Sequence, residues 1–503
     1  CLAYHNVASP PKQVKVHPRL VPYVTYDRMK WIDPEIRSAG EAITRQWQQA
    51  VPTCAWYDYI YGSPYCVPRV YFHQVRKYLT FGADTGVKAL YAELYPNWGE
   101  GPKPYIQLKL WWNPRQDVDA LLAEWYERCV GPEAAPYLSR YYAIWERFWT
   151  EDILSSPWFT KQGQYLPFDS ATYLGTVRRE DILESRRLLN ETLARCKTPA
   201  QRARAELLEM AFQYYEASAL TYLSHTATAT EIETEAQALA AIEIGIEGMT
   251  ATAHRLHLAL EVFPDDPVLA HPLALGRFPA VRGEDWGSGG LWSVADWVAK
   301  GDNAVHRRIA ELAAGSETAL VRGQAALLLA VVGGKTEIVS PNHSFEEGSG
   351  DGATGWMFWR KPDTGEAPPI GTMKRSTDVA HHGEYSVLCD GMLRGAPVMT
   401  ADFAGPGKYA AVAWVYVPPG QQSRGTVELT LAPNGSRSAG GGALMRLVPG
   451  KWTLMAAEAT VPAKLRGRDV ESITIMPIIN GFDGDGGKVY FDEVALHRLP
   501  DDK

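Results

Sequence analysis

Short apolar runs alternate with amphipathic stretches over the first 116 residues. Leu20-Val21-Pro22-Tyr23-Val24-Thr25-Tyr26, Thr53-Cys54-Ala55-Trp56-Tyr57-Asp58-Tyr59 and Val87-Lys88-Ala89-Leu90-Tyr91-Ala92-Glu93 read as strands, and so does the opening Cys1-Leu2-Ala3-Tyr4. Between them, 35–49 and 70–81 read as helices, with Gly82 as the expected stop of the second. Strand, helix, strand at this interval predicts βα units on a parallel sheet. A closed barrel takes eight such units, so residues 1–116 are expected to be the C-terminal part of a (β/α)8 barrel. An incomplete barrel leaves unpaired sheet edges, which soluble proteins avoid. Preceding residues of a longer gene product, or another chain, are therefore expected to complete it. The start on Cys1, with no charged n-region or cleavage site ahead of it, fits a numbering that begins partway through.

From Asp117 the pattern turns helical. The stretches 118–128, 180–195, 199–224 and 231–260 repeat apolar residues at helical spacing, with two shorter helices at 292–300 and 318–332. Residues 117–334 thus read as an α-helical domain. Gly333-Gly334 marks its end. Beyond it, alternating runs at 409–417, 426–432, 452–461, 472–479 and 488–496, punctuated by Gly turns, predict a β-sandwich over 335–503. The fold class expected is multidomain: part of a (β/α)8 barrel, an α-helical domain and a jelly-roll sandwich.

Composition narrows the function classes. With 46% hydrophobic and 21% charged residues over 503 positions, the chain is globular rather than disordered. The net charge of −8 and the scattered basic residues argue against nucleic acid as the main partner. No apolar run reaches about 18 residues, so no membrane span is expected. Trp (17) and Tyr (25) outnumber Phe (13), and such rings offer both a flat apolar face and a polar handle to a sugar. The six cysteines lie far apart without a CxxC, which argues against a disulfide scaffold or structural zinc. Cys54 and Cys66 are the pair an oxidising compartment would join.

In (β/α)8 enzymes the working side chains sit at the C-terminal ends of strands. Those ends carry Tyr4, His5 and Asn6, then Asp27, Asp58 and Glu93. Asp58 lies between Tyr57 and Tyr59, and Glu93 is followed by Tyr95 and Trp98. Two carboxylates on successive strands, ringed by aromatics, fit glycoside hydrolysis, in which one carboxyl donates a proton and another acts as base or nucleophile. Asp58 and Glu93 are the expected catalytic pair, facing one cleft, with Tyr4, His5, Tyr57, Tyr59, Tyr95 and Trp98 binding substrate. The plainer alternative is that each carboxylate pairs with an Arg or caps a helix; for Asp27, next to Arg28, that alternative is preferred. His254 and His257 share a helix face without a third ligand and read as packing or surface residues. There is no P-loop, GxGxxG after a strand, GxSxG or HExxH.

The series Leu2-Ala3-Tyr4, Pro10-Pro11, Tyr57-Asp58-Tyr59, Gly86-Val87 to Glu93, Leu110-Trp111-Trp112-Asn113-Pro114 and Cys129-Val130-Gly131-Pro132-Glu133-Ala134-Ala135 resembles the C-terminal part of the domain-of-unknown-function family 4838. That family is similar to TIM-barrel glycoside hydrolases, distantly including the α-glucuronidases. The resemblance covers roughly residues 1–150 and implies that Asp58 and Glu93 match a later-strand pair acting around the water, with the general acid on an earlier strand.

The C-terminal region resembles carbohydrate-binding modules of the family 4/9 kind, on Asn342-His343-Ser344-Phe345-Glu346-Glu347-Gly348, Gly355-Trp356, His382-Gly383-Glu384-Tyr385-Ser386, Gly450-Lys451-Trp452 and Val489-Tyr490-Phe491-Asp492-Glu493-Val494. Candidate sugar platforms are Trp356, Trp359, Trp414 and Tyr416, at least one of the Trp being core. First and last strands of a jelly roll are neighbours, so Glu346 and Asp492 can meet. Two carboxylates brought together favour a cation, and a structural calcium ion is expected there.

The reading that follows is a secreted or periplasmic bacterial glycoside hydrolase acting on a polysaccharide or oligosaccharide, in which uronic acids are one possibility, with an appended carbohydrate-binding module. Two alternatives stand beside it: a non-catalytic carbohydrate-binding protein on a barrel scaffold, and a structural surface-layer or assembly component.

Overall fold

The computed structural model describes residues 1–499 except 63–64, 96, 157, 162, 168–169, 228–231, 271–288, 361–369, 422–424, 437–440, 446–448 and 483–486. The chain divides into two compact units, Cys1–Ala219 with His254–Arg282 and Leu220–Ala253 with Gly283–Lys503. The helices of 117–334 are divided between them.

In the first unit four strands, β1 (Leu2–Ala3), β2 (Tyr23–Tyr26), β3 (Ala55–Tyr59) and β4 (Ala89–Glu93), lie parallel in sequence order. Helix α1 (Pro34–Ala50) joins β2 to β3. It starts where Asp33 accepts from the backbone N–H of Glu35 (2.9 Å) and Ile36 (3.1 Å), with Pro34 in the first turn. Helix α2 (Phe72–Thr85) joins β3 to β4 and runs past Gly82, the expected stop. A Cβ at Gly82 would sit 2.8 Å from the Trp56 indole, so this glycine lets the helix lie against β3. The stop is Gly86, whose φ of 90° is a left-handed cap that a side chain would strain. Helices α3 (Lys103–Trp112), α4 (Val118–Val130), α5 (Ala135–Thr150) and α6 (Arg179–Arg195) follow.

The strand period of two sorts the sheet's side chains onto two faces. The register aligns Val24 with Trp56 and Tyr26 with Asp58 on the face covered by α1 and α2. There the Trp56 indole donates to Thr44 of α1 at 3.3 Å and packs edge-on to Trp31 at 5.6 Å. Thr25, Tyr57 and Tyr91, then Tyr59 and Glu93, share the opposite face. Four parallel strands flanked by helices are what the described residues contain of the expected barrel.

Two large antiparallel sheets dominate the described residues of the second unit, beside two short two-stranded ones. One runs, in spatial order, Trp452–Val461, Gly407–Tyr416, Lys488–Arg498, Ser386–Asp390 and Thr372–Ser376, with Glu337–Ile338 paired to Lys488–Arg498. The other runs Gly441–Met445, Thr426–Pro433, Ser472–Asn480, Arg394–Asp402 and Met357–Arg360. Phe345, Val387, Tyr409, Leu429, Ile475 and Phe491 belong to the buried core the two sheets share. On the outer side of the first sheet, Ala410, Val412, Leu454 and Ala456 pack with Trp292, Ile309 and Leu328 of the helices that precede the sandwich. None of the six cysteines forms a disulfide, the buried Cys54 and Cys66 included. Among the described residues no helix is long and apolar enough to cross a membrane.

Candidate functional site

At the C-terminal end of the parallel sheet, on the face turned away from α1 and α2, one carboxylate stands among tyrosine rings. The Tyr61 hydroxyl donates to Oε2 of Glu93 at 2.7 Å, and the Tyr57 hydroxyl donates to Oε1. Tyr57 lies 4.8 Å from Tyr91 and 5.5 Å from Tyr59, centroid to centroid. Tyr59 continues to Tyr61 at 5.2 Å, and Tyr61 stacks on Tyr95 at 5.1 Å. On the other side Tyr165 meets Tyr59 at 5.4 Å and Tyr4 at 5.1 Å, and Tyr4 carries the His5 ring at 3.9 Å. Burial, reinforced by the neighbouring Glu93 carboxylate, pushes the Tyr57 and Tyr61 phenols well above their ordinary range, so both stay neutral donors. His5 (φ 50°) and Tyr95 (φ 36°) hold left-handed backbone, uncommon for bulky residues and concentrated where structure serves a site.

Beneath this ring lies a layer of buried charge. The Arg69 guanidinium reaches both oxygens of Asp27, at 3.0 and 2.9 Å, and also donates to the carbonyls of Tyr59 and Tyr61, each at 3.2 Å. Lys103 pairs with Glu100 at 2.7 Å and donates to the Tyr61 carbonyl at 2.9 Å. Arg69 and Lys103 thus fix the backbone that presents Tyr59 and Tyr61. Burial lowers the Lys103 ammonium to about 8 although Glu100 opposes the shift. Asp27 also accepts from the Met29 N–H at 3.2 Å, so it is both the ion-pair partner and the cap expected of it. Lys30 donates to the carbonyls of Gly163 (2.9 Å) and Tyr165 (3.3 Å) and so holds the loop that carries the Tyr165 ring.

Of the expected site residues, the structure gathers Glu93, Tyr4, His5, Tyr57, Tyr59 and Tyr95 on one face. Asp58 is not among them. It shares the helix-covered face with Trp56, because residues 57 and 59 alternate with 56 and 58 along β3. It is 2% exposed, accepts from the backbone N–H of Arg28 (3.1 Å) and Tyr59 (2.9 Å), and lies 3.8 Å from the Arg28 guanidinium. That guanidinium in turn sits 4.0 Å above the Trp56 ring. The expectation that Asp58 and Glu93 face one cleft is therefore corrected. Trp98 is also removed from the candidate surface: it is buried against Tyr214 (4.8 Å) and Phe263 (4.4 Å), with its indole N–H on the Leu269 carbonyl at 2.7 Å.

In the sandwich, Trp356 packs on core residue Phe345 at 4.7 Å and donates to the Asn342 carbonyl at 2.9 Å, which makes it a structural ring. Trp359 lies against Ala396, Val398 and Ile478 on the outer face of its sheet, partly exposed. Glu346 and Asp492 converge on one turn without ligating a common centre. Glu346 Oε1 accepts from the N–H of Glu384 and Tyr385, both at 3.0 Å. Asp492 Oδ2 accepts from His381 (2.7 Å) and His382 (3.0 Å), and its Oδ1 from Glu493 (2.7 Å). Burial raises the Asp492 carboxyl to about 6 against these donors. Among the described residues no group of three or more His, Cys, Asp or Glu is placed to hold a metal ion.

Tyr61, Tyr91 and Tyr165 belong to the ring and were not expected in it. The signal for the first two was the same period of two: Tyr57, Tyr59 and Tyr61 share one parity, and Tyr91 shares that of Glu93. Tyr165 carries no such signal, because only folding returns its loop to the sheet.

Residues 1–143 match the family model described as "Domain of unknown function (DUF4838)". The curated proteins give no match. Among solved structures, the chain is similar to a cyclase from Fischerella sp. TAU in complex with 4-(1H-indol-3-yl)butan-2-one, at 14% identity over 33% of this chain and 98% of that one, with a TM-score of 0.26. It is similar to TmCBM61 in complex with beta-1,4-galactotriose at 16% identity over 32% of this chain and 99% of that one, with a TM-score of 0.23. The CBM22-1 xylan-binding domain from Paenibacillus barcinonensis Xyn10C gives 15% identity over 33% and 97%, with a TM-score of 0.24.

Proposed function

We propose that this chain binds carbohydrate on the tyrosine-lined face of its parallel sheet and acts there as a glycoside hydrolase, with Glu93 as one of the two working carboxyl groups. The observation that carries the reading is the setting of Glu93: a carboxylate oriented by two phenol hydroxyls and surrounded by rings at the C-terminal ends of parallel strands. Aromatic faces suit the apolar faces of sugar rings, and their hydroxyls suit the polar edges. Glycoside hydrolysis takes a second carboxyl group. Asp58 does not supply it, so the proposal assigns that role to a group outside β3 that reaches the same face. We place the activity outside the cytoplasm, and we assign the completion of the sheet beyond its edge strands to further βα units from the same gene product or another chain.

The test is turnover by the full-length protein on a panel of oligosaccharides, wild type against Glu93→Gln. Loss of about 10² or more in turnover with the fold intact supports the assignment. Equal turnover overturns it.

A second reading, non-catalytic carbohydrate binding on the same face, is favoured by the one observation that Asp58 points away from Glu93. It predicts retained sugar affinity with no hydrolysis in the wild type.

A further inference from the structure

We infer that the Glu93 face selects neutral sugar rings and discriminates against uronates. This rests on the carbohydrate reading above and adds the substrate class to it.

Proteins recognise a sugar carboxylate with Arg or Lys, most specifically with a guanidinium fork. Around Glu93 the cations are present but committed. Arg28 and Arg69 are each 0% exposed and Lys103 is 2% exposed. Arg69 reaches both oxygens of Asp27 through one terminal nitrogen, Lys103 is on Glu100, and Arg28 lies over Trp56 beside Asp58. Lys30, 0% exposed, is turned to the backbone carbonyls of the 163–165 loop. Each of these four cations supports the backbone or a carboxylate below the ring.

What faces the ligand is of the opposite kind. Phenol hydroxyls both donate and accept, which matches hydroxyl groups. A neutral hydroxymethyl at C6 finds such partners among Tyr4, Tyr57, Tyr59 and Tyr91. A carboxylate at C6 would instead lose water beside the Glu93 carboxylate, and like charges brought together this way repel. The exposed ring of His5, beside Tyr4, also lies on this face.

The experiment is calorimetric binding to the full chain at pH 8, where an ordinary imidazole is neutral. The ligands are oligosaccharide pairs of the same linkage and length, differing only in CH2OH or COO⁻ at C6. We expect at least a tenfold preference for the neutral member. Glu93→Gln should shrink that preference at least threefold, and so should Tyr91→Arg, which adds a cation at a position 54% exposed and serves should the first variant not fold. Equal or tighter uronate binding by the wild type overturns the inference and leaves the carbohydrate reading standing. A neutral preference that neither variant changes also overturns it, because charge is then not the cause. Binding of neither ligand overturns both.

Discussion

Glu93 accepts the Tyr61 hydroxyl at 2.7 Å although Tyr61 lies beyond the end of β3 and Glu93 closes β4. The bond joins the ends of two neighbouring strands, and Lys103 and Arg69 hold the Tyr61 carbonyl from below. The carboxylate's position therefore depends on a buried layer of charge beneath the tyrosine ring.

Tyr61→Phe removes one donor from Glu93 and little volume. A hydrogen bond to a charged group contributes about 1.5–3 kcal/mol, so substrate affinity or kcat/KM should fall about ten- to a hundredfold while the melting temperature moves by a few degrees at most. Steady-state kinetics or calorimetry beside a thermal melt separates the two effects. An unchanged kcat/KM would show that Glu93 does not need Tyr61.

Asp58→Ala should act on stability rather than on chemistry. It leaves the Arg28 guanidinium buried without the nearby carboxylate, and breaking a buried pair by removing one partner costs about 3–5 kcal/mol. Urea unfolding of the variant should show that loss, with turnover per folded molecule retained. Lost turnover at wild-type stability would return Asp58 to the chemistry.

His73 gives the first unit a pH dependence. Its Nδ1 lies 3.0 Å from Glu146 Oε2 and its Nε2 3.2 Å from Asp119 Oδ1, linking α2, α4 and α5. The hydrogen bond with Glu146, joined by Asp119 and opposed by burial, raises the imidazole from 6.5 to about 9. The folded value lies above the unfolded one, so the stabilisation is complete below about pH 6.5 and is lost as the pH rises through 9. The side chain is half exposed, and solvent screening keeps the effect small. Wild type should lose more melting temperature between pH 6.5 and 9 than His73→Gln; parallel curves would exclude the effect.

In the sandwich, Asp492→Ala strips the partly buried backbone N–H groups of His381, His382 and Glu493 of their acceptor. An unsatisfied buried group costs about 1–3 kcal/mol, and water reaches these partly buried ones, so the variant should melt a few degrees below wild type. The calcium expected beside Glu346 and Asp492 is tested by the same melt: equal melting temperatures in calcium and in chelator would exclude it. A rise that grows with calcium concentration would show a bound cation instead.

The sequence by itself determined the local elements. Helix α1 is delimited by Asp33-Pro34, and the strand 452–461 occupies the predicted residues, because caps and apolar periodicity act over a few residues. The family resemblance over the first part of the chain was also legible, in dispersed Tyr, Trp and Pro positions. The sequence even held the fact that Asp58 opposes Tyr57 and Tyr59, since a strand alternates its faces. What it did not hold was which face the helices cover. That choice is made by Trp56, Trp31 and Gly82 packing together from separate segments, and it sends Asp58 inward to Arg28 and leaves Glu93 among tyrosines. The same holds for Trp98, claimed by Tyr214 and Phe263, and for Tyr165, brought to Tyr59 by a loop far along the chain. Burial and partner choice are set by contacts between distant segments, and only the tertiary structure decides those.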